Sequence, residues 1–156
     1  MTPSRTIAVA VLTFVAAVTA ERVGEEFGTG RVLNIDGEIN HALFHFSWAA
    51  LTMALALGVR RARSAWSATG WTARSLFFAQ MFALLSVAGN VLAGVGVFVP
   101  FPESKGDPGQ MYIYLIHPHN VGEVVGVGSA LILLAVCLVM LGVGVRGALR
   151  PRAQPA

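Results

Sequence analysis

Four histidines fall in two pairs, and their spacing limits the chemistry open to them. His41 and His45 stand at i and i+4, so on a helix both imidazoles share one face within about one turn, a spacing with which a single helix can grip a metal ion. Glu38 lies on the same stripe, as do Trp48 and Thr52, and a carboxylate there would orient an imidazole or complete the ligand set. His117 and His119 flank Pro118, which favours an extended or turn conformation before it, so both rings reach inward only if that segment folds back. Neutral imidazole also serves as an axial haem ligand or a proton-transfer group. The competing reading makes His41 and His45 amphipathic residues at headgroup depth, where no ligand is needed.

The elements that must position these residues are apolar. Of 156 residues, 55% are hydrophobic and 12% charged, and the mean hydropathy is +0.67. Soluble domains carry about 25% charged residues, and this chain concentrates its own between blocks long enough for a hydrocarbon core of about 30 Å. None of the blocks shows the alternation of a barrel strand. The pattern predicts a single domain over 1–156: an all-α integral membrane bundle of four transmembrane helices, at about 5–23, 40–62, 73–99 and 120–147. The first block ends in Val18-Thr19-Ala20, which also satisfies the small-residue rule for signal-peptide cleavage, so residues 1–20 read either as a span or as a signal.

Basic residues set the expected orientation. Arg5, then Arg60, Arg61, Arg63 and Arg74, then Arg146, Arg150 and Arg152 fall on one side, against Arg22, Arg31 and Lys105 on the other. The positive-inside rule then predicts cytoplasmic N- and C-termini and a multi-pass protein of the cell membrane. All carboxylates and all histidines are expected at the outer face. Residues about 75 positions apart would therefore meet at one membrane depth.

The remaining signals are local. Segments 28–38 and 100–109 are rich in turn residues and read as outer loops, and 111–116 reads as a short interfacial segment. Asn120 and Glu123 have the spacing of a capping box opening the last helix. Asn90, in the outer half of the third helix, would hydrogen-bond a ligand, the histidines or another helix, whereas Gln80 reads as interhelical glue. Small residues at Gly89, Ala93, Gly94 and Gly96, and at Gly122, Gly126, Ser129 and Ala130, predict close packing, a flat cofactor surface or an oligomer contact. The lone Cys137 excludes an intrachain disulfide or CxxC pair and reads as core packing. The arginines form no stripe with interleaved aromatics, so no nucleic-acid partner is expected. No Walker loop, GxSxG elbow or HExxH motif occurs.

His41-Ala-Leu-Phe-His45-Phe-Ser-Trp opening the second helix, Gly89-Asn90-Val91 in the third and a long loop before the fourth resemble the styrene oxide isomerases. Those are small four-helix membrane proteins that hold haem b. The resemblance covers most of the chain as architecture and a few residues as motif. It implies haem b as cofactor, with His41 the best match for the axial ligand, His45 second and Asn90 beside the pocket. It further implies a ferric iron acting as Lewis acid to open an epoxide to a carbonyl compound. Ser47 stands where the family has an asparagine, and Gly94 where it has a tyrosine, so two polar groups for placing an epoxide are missing. The additional His45, His117 and His119 point toward another haem or metal role.

The sequence thus predicts a membrane protein with a histidine cluster at its outer face. Its cofactor-binding candidates are His41, His45 and Asn90, and its metal candidates are His41, His45, His117, His119 and Glu38, for haem b or else a transition metal. The reaction expected is an isomerase or redox step on a lipophilic small molecule, with the bilayer as partner and a homo-oligomer or membrane complex as the assembly. Two other readings stand beside it. A non-enzymatic membrane subunit or scaffold would carry no cofactor, and a proton or cation transporter would need a polar path that Gln80 and Ser86 alone do not supply in the inner half.

Overall fold

The computed structural model describes residues 2–28, 37–100 and 115–149. Among them the regular structure is entirely helical: α1 (Pro3–Gly28), α2 (Glu38–Ala65), α3 (Gly70–Gly96) and α4 (Pro118–Leu149). Each helix is long and apolar enough to cross a membrane. The loops expected within 28–38 and 100–109, most of the interfacial segment at 111–116, and Arg31, Lys105, Arg150 and Arg152 lie outside the described residues.

The helix ends have local causes. Gly37 precedes α2 with φ of 80°, a left-handed conformation that glycine adopts without a Cβ clash. α3 stops at Gly96, short of the predicted 99. Phe98 and Val99 instead donate to the carbonyls three residues back, on Val95 and Gly96, tightening the chain just before Pro100 bars further helix. α4 starts at Pro118, ahead of the predicted 120, because proline suits the first helical position, where no N–H is needed. His117 takes the N-cap position: its carbonyl accepts from Val121 N–H at 3.0 Å and its Nδ1 accepts from His119 N–H at 3.3 Å. Asn120 therefore lies inside the helix, and the predicted capping box with Glu123 does not form.

The helices run up and down around a ring in which α1 packs on α2 and α4, and α3 packs on the same two. α2 and α4 are thus diagonal partners. The α3–α4 seam is the closest approach. A Cβ on Gly89 would strike the Gly126 backbone, one on Gly96 the backbone of His119, and one on Gly122 the backbone of Ala93. Small residues let two helix backbones meet without the side-chain layer that ordinarily separates them.

The interior differs along the bundle axis, with only the hydroxyls of Thr6 and Thr13 buried beside the apolar end among the described polar residues of α1. One half is packed by Val9, Ala56, Val59, Leu76, Leu133, Cys137 and Met140, with Cys137 a buried packing residue as expected. The other half buries Asn40, His45, Ser86, Asn90, His117 and His119. Outward faces are strongly apolar, with Leu12, Leu57, Phe77, Val124, Leu131 and Leu138 all exposed.

The seam generates a stability prediction. Gly89→Ala should lower stability by about 1–3 kcal/mol through overpacking. Gly58→Ala, where a Cβ meets nothing within 4 Å, should be neutral or slightly stabilising. Thermal unfolding in detergent reads both; equal melting temperatures for the two variants would contradict the tight seam.

Candidate metal centre

The polar half gathers four potential ligands onto one point. His41 and His45 come from the first turns of α2, His119 and Glu123 from the first turns of α4, and one ligand atom from each lies within 4.8 Å of the others. The three imidazoles form a nearly equilateral triangle, with ring centroids 5.1 Å apart for His41 and His45, 4.8 Å for His41 and His119, and 5.2 Å for His45 and His119. Because α2 and α4 are diagonal, the cluster bridges the end of the bundle across its axis. His45 and His119 are buried, at 2% and 7% exposure, whereas His41 and Glu123 are exposed.

Hydrogen bonds to α3 fix which nitrogen of each buried ring carries its proton. Asn90 Nδ2 donates to the Ser86 carbonyl at 2.9 Å, which turns Asn90 Oδ1 toward His45. That oxygen can only accept, so His45 Nδ1–H donates to it at 3.1 Å. His119 Nδ1–H likewise donates to the Ala93 carbonyl at 3.1 Å. A neutral ring anchored through Nδ1–H presents a lone pair at Nε2, the arrangement that orients metal-ligating histidines.

The second nitrogen of each ring, Nε2, lies on the side away from α3. His45 Nε2 is buried and has no hydrogen-bond partner among the described residues, a desolvated acceptor that costs on the order of 1–3 kcal/mol if nothing meets it. His119 Nε2 lies 3.6 Å from Glu123 Oε1. A ring lone pair facing a carboxylate is repulsive unless a proton or a metal cation lies between them. The chemistry of the site is therefore that of a receptor for positive charge.

The other expected residues fall elsewhere. His117 is fully engaged as the α4 cap and through Nε2–H, which donates to the Val99 carbonyl at 3.1 Å, so it straps α4 to the end of α3 and leaves the ligand set. Glu38 is exposed at the start of α2 and lies outside the four-residue group. Glu123, which the sequence reads as a capping residue, is instead a member of the four-residue group. Its signal was the i, i+4 spacing from His119, the same spacing that singled out His41 and His45.

A bis-histidine haem needs two opposed nitrogens with an empty plane between them. Four donor groups mutually within 4.8 Å leave no such plane, and Phe44 packs on His45 at 4.9 Å. The space that the missing tyrosine would take at Gly94 is held by the Phe46 ring. The cluster suits one small ion and does not offer the two opposed nitrogens of a bis-histidine haem. No protein-family model, curated protein or solved structure matches the chain.

Long-range proton–nitrogen NMR of the imidazoles in the metal-free protein should find His45 and His119 both as Nδ1–H tautomers. A predominant Nε2–H tautomer at either ring would remove the basis for its role as a ligand.

Proposed function

We propose that this chain is a multi-pass integral membrane protein, inserted with both termini on the cytoplasmic side, that binds one divalent transition-metal ion at its outer end. The apolar outward faces support insertion, since exposed apolar area on this scale is unsuited to water. Orientation rests on the arginines at the opposite end, where Arg5 stacks over Trp66, Arg63 over Phe77 and Arg74 over Trp71, at 5.6–5.8 Å. Such cation–aromatic pairs suit the cytoplasmic headgroup layer.

The observation that carries the metal reading is the buried His45 Nε2, bare while Asn90 holds the far side of its ring. Three imidazoles and a carboxylate suit zinc and also iron(II), nickel or copper(II). His45 and His119 are the fixed ligands. His41 and Glu123, at the exposed side, close the site, and displacement of Glu123 would open a position to the oxygen of a lipophilic molecule arriving along the outer leaflet. An ion there supplies Lewis acidity. The Ser47 hydroxyl donates to the Phe44 carbonyl at 2.9 Å and Gly94 has no side chain, which weighs against the epoxide placement that the isomerase resemblance would require. A scaffold role leaves the orphaned nitrogen without a purpose.

Chelator-treated protein in detergent should take up one zinc or cobalt(II) ion per chain, read by elemental analysis and by the cobalt visible spectrum. His45→Ala and His119→Ala should abolish binding, His117→Ala should retain it, and Asn90→Ala should weaken it by about 10–100-fold through loss of ring orientation. A wild-type chain that stays metal-free after loading would refute the reading; a histidine-dependent Soret band would replace the ion with haem.

A further inference from the structure

Two helical turns below the metal cluster, the bundle encloses a second polar feature that the proposed metal site does not use. A cavity of about 30 Å³, partly open to the surface, lies among all four helices, with Thr52 and Ser86 on its polar side and Trp48, Val18, Ala130 and Leu133 among its other walls. Thr52 is 3% exposed, and its Oγ1 has no hydrogen-bond partner among the described residues. Ser86 is fully buried. An unpartnered hydroxyl on a residue that lines a void in an apolar interior, one side-chain rotation from it, calls for an occupant, because a buried polar group is ordinarily satisfied by protein or by a bound molecule.

Water alone is a poor match. Space of this size admits about two waters, but a buried water makes about three hydrogen bonds, and here Thr52 and Ser86 supply the only hydroxyls in a largely apolar lining. An alkyl chain ending in one oxygen satisfies both surfaces, the oxygen meeting Thr52 and the carbons meeting Val18, Ala130 and Leu133. We infer that the cavity binds the oxygen-bearing head of a small neutral amphiphile, an alcohol or a carbonyl compound, through the Thr52 hydroxyl. Such molecules concentrate in a bilayer, so the membrane supplies both ligand and route.

The pocket is joined to the cluster above. Asn90 Nδ2 donates to the Ser86 carbonyl at 2.9 Å and approaches Ser86 Oγ at 3.5 Å, while Asn90 Oδ1 accepts from His45. Ser86 is therefore shared between the wall of the pocket and the support of the ligand ring. The pocket's own binding chemistry does not require the ion.

Fluorine NMR with a terminally fluorinated propanol, and with fluorobutane as the isostere lacking the hydroxyl, tests this on the full chain in detergent, with protein-free micelles as the partitioning control. The alcohol should bind saturably and more tightly than fluorobutane. Thr52→Val, which keeps the side-chain shape, should weaken it by about fivefold, Thr52→Ser should retain it, and Ala130→Leu should abolish it by filling the void. Equal binding of alcohol and alkane, unchanged affinity in Thr52→Val despite native helical content and metal uptake, or only non-saturable partitioning in the wild type would each overturn the inference. Saturable alcohol binding in a chain that takes up no metal would leave this pocket standing and discard the metal centre.

Discussion

Backbone contact between α3 and α4 is the constraint on which the polar half of the bundle depends. Where Gly89 meets Gly126 and Gly96 meets His119, no side chain separates the helices, so groups on one backbone come within reach of the other. His119 is thereby pressed onto α3 with its Nδ1 against the Ala93 carbonyl. That carbonyl also accepts from Val97 N–H at 3.1 Å, in the last turn of α3, where the helix ladder is running out. The seam, the orientation of His119 and the lone pair it offers to the cluster are one arrangement.

α3 contributes no ligand to the cluster, yet it anchors both buried rings. Asn90 and Ala93 lie three residues apart and so on the same face of the helix, one holding a histidine from α2 and the other a histidine from α4. In an apolar interior these bonds matter twice. They satisfy the Nδ1 hydrogens, which would be costly to strand, and they make Nε2 the acceptor nitrogen of each ring. His117 shows the opposite outcome: its two nitrogens serve a helix cap and a strap, and a ring so used has nothing left to offer an ion.

Much of this was legible in the sequence. Blocks of apolar residues gave four helices, the i, i+4 spacing put His41 and His45 on one face, and Asn90 was placed near them by counting along α3. Small residues foretold the seam, though not which glycines touch. The differences share a physical origin. Pro118 at the first turn and His117 as its cap start α4 earlier than the hydropathy boundary, which turns Glu123 from a capping residue into a neighbour of His119. HxH around a proline looked like a ligand pair; in fact one member ends the loop and the other opens the helix. Glu38 shares a helical stripe with His41, but the stripe continues past the start of the bundle, and that carboxylate remains exposed. Periodicity reports a face without reporting how far along it the neighbours extend.

The placement of both anchors on one turn of α3 has a consequence for how the cluster can change. A helix moves as a rigid rod, so a shift of α3 along its axis displaces Asn90 and Ala93 by the same amount. His45 and His119 would then lose or regain their supports together, since packed interfaces switch between discrete arrangements and do not deform smoothly. The supports of the two rings are therefore tied through a single turn of one helix.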